Sequence, residues 1–409
     1  MLWFVAIFIP SVVLFLLVIP PLHRYNIPKT TSLLSTPKGL ILMKENAPLR
    51  RIYIVPHSHH DYAWVHERQW HILRYCEIFD RVIDWLEKNP SAYWMIDNVA
   101  HSWEPFAKHY PERAERFKEL VREGRIEISN GGYSLARPSY VGEETFVRNL
   151  IAGDTFFKET FGVEEIPYYH NLDTASGQQQ IPQLLKLMGC RWYRFQRPEV
   201  TLDQREIPRT FYWQGLDGTK ILVSRAFGGG MLDASYTNLD FSTQWEEARD
   251  RFLAEDITPR RVEGLCPSDT EMIHFGCDDS FPDTNWYDRE VHLFEFIDEW
   301  NRREETKIGL STAREYFEDL ETKDLETVAC GLDDSELTFN LPAKGDRSMW
   351  RKRGELEQLL TQTEGLGVIA ALSGESYPEA ELEKMWMQTF QITGHAMDRS
   401  PRWTSSTVR

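Results

Sequence analysis

The spacing of apolar positions changes along this chain, and each change marks a different kind of segment. Residues 1–22 carry no charge and are dominated by Phe, Val, Leu and Ile; an apolar run of that length can cross a bilayer as a helix. Residues 23–50 read as a linker, because Pro, Ser, Thr and Lys mix there without periodicity. From 51 to 310, short β-branched and aromatic runs alternate with apolar positions at helical spacing. Strands are predicted at 51–55, 93–96, 125–128, 168–171, 192–195, 220–224 and 272–275. Helices are predicted between them, as in the stretch carrying Ile72, Ile78, Val82, Ile83 and Leu86, and again over 288–300. Such alternation gives a largely parallel sheet with helices outside, closed or doubly wound. The reading is an α/β fold, a (β/α) barrel over 51–310. Beyond Ser311 strand signals fade and amphipathic runs appear at 356–364 and 379–392, so 311–409 is expected to be part of a helical bundle.

Composition narrows the function. With 42% hydrophobic and 13% aromatic residues in 409, the chain can fill one large core and a smaller domain. A net charge of −17 argues against nucleic acid as a partner, since a phosphate backbone is bound through clustered Lys and Arg. The five cysteines are odd in number and lack C-x-x-C spacing, which points to buried thiols rather than a disulfide framework or a thiolate zinc site. The nearest basic residues, Arg24 and Lys29, follow the N-terminal apolar run. A membrane anchor with the globular part on the cytoplasmic side is therefore expected. The alternative is a cytoplasmic chain translated from Met43.

Two motifs at predicted strand ends carry chemistry. His57-Ser58-His59-His60-Asp61 follows the first strand. Imidazole nitrogen and carboxylate oxygen are good zinc ligands, and alternate residues at a strand end point the same way, so His59 and Asp61 can share one ion. Against this stands a solvated His-rich turn. The strand at 272–275 ends in Gly276, Cys277 and the adjacent carboxylates Asp278 and Asp279. Neighbouring acids repel, so one holds its proton more tightly and suits general-acid work; the plainer role is a helix cap. His395, beside Gly394 in the helical region, reads as a packed or capping residue on its own.

These segments together resemble glycoside hydrolase family 38, the zinc-dependent α-mannosidases, over residues 51 to about 398. The His-x-His-x-Asp-x-x-Trp opening is present as His57, His59, Asp61 and Trp64. A Gly-Arg-x-x-Ile turn leads to a Gly-Gly-aromatic segment at Gly124, Arg125, Ile128, Gly131, Gly132 and Tyr133. Asp173, Pro182 and Gly189, the turn at 211–219, and the Gly-x-Asp-Asp segment at 276–279 also match. His395 stands at the family's spacing from Trp386. The resemblance implies a seven-stranded barrel, with zinc held by His59, Asp61 and His395. It further implies that Trp64 floors the mannose subsite and that Asp279 is the general acid/base. His57 would support the ligands, and Asp278 would orient Asp279 and help hold substrate.

The chain departs from that pattern in places. Where the family carries an aspartate that is nucleophile and zinc ligand, this chain has Arg137, which stays protonated and offers only donors; Glu143 or Glu144 is the alternative source of that carboxylate. Ala396 follows His395 where an aspartate is expected, and Ala175-Ser176-Gly177-Gln178 replaces Phe-Gly-His-Ser. The expected function is zinc-assisted hydrolysis of α-mannosides or related glycosides. The alternatives are an inactive sugar-binding homologue and a metal-dependent carbohydrate deacetylase.

Overall fold

The computed structural model describes residues 7–9, 12–14, 46–61, 66–97, 100–129, 132–138, 141–175, 177–227, 244–284, 290–332 and 348–395. The chain divides into two units, Met1–Met43 and Lys44–Arg409. In the first, β1 (Ile7–Ile9) pairs antiparallel with β2 (Val12–Leu14). These described residues are strand where a helix was expected, in keeping with the β preference of Ile, Val and Phe and with Pro10 between the two runs. Among the described residues no helix is long and apolar enough to cross a membrane.

The second unit largely alternates strands and helices as its sequence predicts, with three strands that were not expected, β8, β11 and β12. One sheet holds β3 (Arg51–Ser58), β4 (Trp94–Asp97), β5 (Ile126–Ser129), β10 (Thr270–Phe275) and β11 (Lys307–Leu310), all parallel, with β3 paired to β10, β11 and β4. The other holds β6 (Tyr168–Ala175), β7 (Trp192–Arg197), β8 (Thr210–Gln214), β9 (Lys220–Arg225) and β12 (Thr327–Val328), in the order β12-β8-β9-β7-β6. In this sheet β8 runs antiparallel to β9. The Asp217-Gly218 turn that joins them needs Gly218 at φ 86, and Asp217 Oδ1 accepts from Thr219 N. The described ladders of the second unit thus form two five-stranded sheets; a single seven-stranded ring is not among them.

β3 explains why both sheets share one interior. Its alternate residues go to different cores: Ile52 and Ile54 pack outward on Phe252, Phe296 and Trp300, and Tyr53 and Val55 pack inward with Met95, Tyr168, Trp192, Leu222 and Met272. A strand buried on both faces has this pattern. The inner layer takes residues from β3, β4, β6, β7, β9 and β10. Fully buried Arg194 ties it across, donating to Ser224 Oγ and Met272 O.

Outside the sheets lie α1 (Arg68–Lys88), α2 (Ala100–His109), α3 (Pro111–Arg122) and α4 (Glu143–Phe161). They are followed by α5 (Ile181–Leu187), α6 (Glu199–Gln204), α7 (Trp245–Phe252), α8 (Thr258–Arg260), α9 (Leu293–Arg303) and α10 (Ala313–Glu321). Two further helices, α11 (Ser348–Leu372) and α12 (Glu379–Thr393), close the described chain. Leu360, Leu382, Trp386 and Phe390 join the core formed by α1 to α4, and Arg148 of α4 bonds Glu364 through both terminal nitrogens at 2.8 and 2.9 Å. This packing fixes the end of α12, and with it His395.

Candidate active site

The strand ends converge because the backbone binds them side by side. His59 N donates to Cys277 O at 3.1 Å and Asp279 N donates to His59 O at 3.0 Å, so the histidine motif after β3 and the aspartate motif after β10 lie in parallel register. Gly276 allows this closeness: at φ 129, a Cβ there would lie 1.8 Å from His57 O. The third segment arrives from α12, where Gly394 bridges Ala136 and His395 N donates to Leu135 O at 2.9 Å.

His59, Asp61 and His395 are buried, with one ligand atom from each inside a 4.8 Å group. His395 Nε2 is 3.2 Å from His59 Nε2 and 3.1 Å from Asp61 Oδ1. Behind His59, Asp97 at the end of β4 lies 2.8 Å from Nδ1, and both side chains are 1% exposed. With Nδ1 donating to Asp97, the neutral ring aims its Nε2 lone pair at the cluster. Two imidazole nitrogens and a carboxylate oxygen pointed at one another fit a divalent cation better than they fit each other. Charge says the same. Burial would depress the His59 imidazolium, yet the hydrogen bond and charge of Asp97, with Asp61 and Asp278, lift it to about 10. His395 is likewise raised against burial by Asp173 and Asp61, and Asp61 is held low against burial by His395 and His59. The cluster is rich in anions and holds protons where a cation would serve.

The twin aspartates differ as neighbouring acids should. Burial and then the Asp61 charge push Asp278 well above the usual carboxylate range. Asp279 has φ 52, its carboxylate is 3.4 Å from His71 Nδ1, and its carbonyl accepts from Arg74 Nε at 2.9 Å. His71, Arg74 and Tyr75 share one face of α1, and Tyr75 donates to the Asp61 carbonyl. One helix thereby braces both motifs.

Arg137 is 3% exposed and follows Ala136, whose bridge to Gly394 places it beside the His395 segment. Glu143 is exposed and Glu144 pairs with Arg148 at 2.7 Å, on the surface facing α11. Trp64 and Ala396 lie outside the described residues. Four cysteines are buried and Cys330 is half-buried. Sequence reasoning passed over Asp97, His71 and Arg74. Asp97 had a signal, as the polar residue that ends an apolar strand.

Residues 50–353 match the family described as "Glycosyl hydrolases family 38 N-terminal domain". Alpha-mannosidase 2C1 of Homo sapiens is 23% identical over 338 residues, 82% of this chain and 30% of that protein. Alpha-mannosidase G of Dictyostelium discoideum is 25% identical over 173 residues, 42% of this chain and 16% of that protein. This chain thus spans less than a third of the length of either relative. Among solved structures, an alpha-mannosidase from Enterococcus faecalis superposes with a TM-score of 0.66 at 21% identity, covering 85% of this chain and 39% of that one. A branching enzyme from Thermococcus kodakaraensis shares the fold more distantly, with a TM-score of 0.56 at 11% identity over 85% of each chain. The family match spans most of the chain, from β3 into the start of α11, and on that ground the chain belongs to glycoside hydrolase family 38.

Proposed function

We propose that this chain hydrolyses α-mannosides or related α-glycosides at a metal-assisted site. The observation that carries the reading is the convergence of His59, Asp61 and His395 within 4.8 Å, beside an Asp278-Asp279 loop whose backbone bonds to His59. His59, Asp61 and His395 would hold a zinc-type cation, which when bound supplies a Lewis-acidic anchor for sugar hydroxyls. Asp97 keeps the His59 proton on Nδ1. Asp279 Oδ gives a proton to the glycosidic oxygen as its bond to the anomeric carbon breaks, and takes one back from the water whose oxygen then bonds that carbon. Asp278, half-buried and reluctant to ionise, spares that exchange a second charge at close range. Sequence resemblance gives Trp64 the floor of the sugar subsite. A closed barrel with its mouth at these strand ends is the architecture this reading requires.

One observation favours a second reading, a sugar-binding protein without turnover. The position that resembles the nucleophile is Arg137, buried and unable to attack carbon. Release of p-nitrophenol from its α-mannoside by the zinc-loaded chain separates the two. Turnover that falls about 10²–10⁴-fold in Asp279→Asn supports hydrolysis; no turnover with retained mannoside binding supports the second; a folded chain that neither binds nor cleaves it refutes both.

A further inference from the structure

We infer that Asp173 is a fourth donor to the cation, giving a His₂Asp₂ set of His59, Asp61, Asp173 and His395. The inference rests on the metal-assisted reading above and adds a residue from the opposite sheet. Asp173 Oδ2 lies 3.5 Å from His395 Nε2. That same nitrogen is 3.1 Å from Asp61 Oδ1 and 3.2 Å from His59 Nε2. Asp173 thus approaches the nitrogen that the other two ligand side chains also approach, from just outside the 4.8 Å group formed by His59, Asp61 and His395.

The chain holds Asp173 in that pose from two sides. At the end of the adjacent strand β7, Arg197 Nη2 donates to Asp173 Oδ1 at 2.5 Å. A charge-assisted bond to one oxygen fixes the carboxylate plane and leaves the other oxygen turned toward His395. The backbone is bent to the same end: Asp173 has φ 53, and the β6–β7 register shifts between Asn171 and Ala175. A residue other than glycine in the left-handed region costs roughly 1–2 kcal/mol, and irregular strand ends of this kind re-aim side chains at functional sites.

Donor chemistry completes the argument. Zinc and cobalt(II) take four-coordinate sites readily, and His59, Asp61 and His395 supply three donors. Two carboxylates and two neutral imidazoles together carry a charge of −2, which offsets a dication's charge, whereas Arg137 can offer no lone pair. Of the two other carboxylates considered from sequence, Glu143 is exposed and Glu144 is engaged by Arg148. Arg197 on this view is a positioning residue that acts through Asp173.

Cobalt(II) titration of the full chain tests this, read by calorimetry and by visible d–d absorption, which reports donor number independently of turnover. Asp173→Asn should lower cobalt affinity about 100-fold and weaken the d–d bands, and Arg197→Met should lower affinity about 10-fold. His59→Ala should abolish binding. Should Asp173→Asn fail to melt cooperatively, Arg197→Met carries the test: unchanged affinity overturns the inference. Wild-type affinity and spectrum in Asp173→Asn, with binding lost in His59→Ala, overturns the fourth donor and leaves the three-residue site standing. Absence of cobalt binding by the unaltered chain overturns both this inference and the metal-assisted reading.

Discussion

Replacing Gly276 by Ala is expected to loosen the site and the fold together. The added methyl carbon would stand 1.8 Å from His57 O and 2.9 Å from His57 C, with Ser280 Oγ at 3.3 Å. A carbon tolerates a carbonyl oxygen at roughly 3.3 Å, so the two strand ends must part by about 1.5 Å. The bonds His59 N to Cys277 O, at 3.1 Å, and Asp279 N to His59 O, at 3.0 Å, lie across that gap. Each buried backbone group left unpaired costs about 1–3 kcal/mol, and Ala at φ 129 adds about 1–3 kcal/mol of strain. The expected loss is therefore at least about 3 kcal/mol, a large share of the 5–15 kcal/mol that typically separates folded from unfolded chains. Urea unfolding read by tryptophan fluorescence measures it. A loss under about 1 kcal/mol would show that the β3 and β10 ends are not held as closely as argued.

Other expectations follow from the same contacts. Asp97→Asn removes the charge behind His59 and should weaken zinc binding about 10–100-fold in a chelator competition, with the fold intact by circular dichroism; unchanged affinity would mean that Asp97 does not orient the ring. Buried His101 is lowered to about 3 by burial, then by the charges of Arg68 and His71. Its unfolded form titrates near 6.5, so the unfolded chain takes the extra proton below that pH, and stability falls as pH drops. The loss at pH 5 is about 2 kcal/mol relative to neutral pH, and His101→Gln should flatten that slope in paired urea titrations; an identical slope would contradict the assignment. Arg194→Met deprives Ser224 Oγ and Met272 O of a buried donor and should cost about 3 kcal/mol or more in the same assay; a neutral result would show that Arg194 does not tie the sheets.

The sequence made the strands readable where both faces are buried, because runs such as Arg51-Ile-Tyr-Ile-Val need no periodicity to be seen. For β3 and β6 it located the N-terminal halves and stopped short where polar residues take over, since β3 runs on through His57 and Ser58 and β6 through Asp173 and Thr174, whereas for β10 it reached the end at Phe275 and missed the start at Thr270. Those polar ends are the site, which is why the elements were found more easily than their chemistry. β8 was missed because its residues were read only as part of the 211–219 turn, and β11 and β12 were missed as short segments whose pairing to β3 and β8 is set by distant chain. His59 and Asp61 were legible as a local motif, and Asp278 and Asp279 likewise. His395 was not: its place depends on α11 and α12 packing against α4, and resemblance alone raised it. Asp97 and Asp173 each stand singly on their own strand, and no spacing rule links them to a histidine more than thirty residues away.

On the reading proposed above, segments from β3 and from the end of α12 meet around one cation beside Asp279. A zinc-edge anomalous map from crystals of the zinc-loaded chain tests it most directly. One strong peak is expected, roughly 2.0–2.2 Å from Nε2 of His59 and His395 and from an Asp61 oxygen. A peak bound by other residues, or none at stoichiometric zinc, would contradict it.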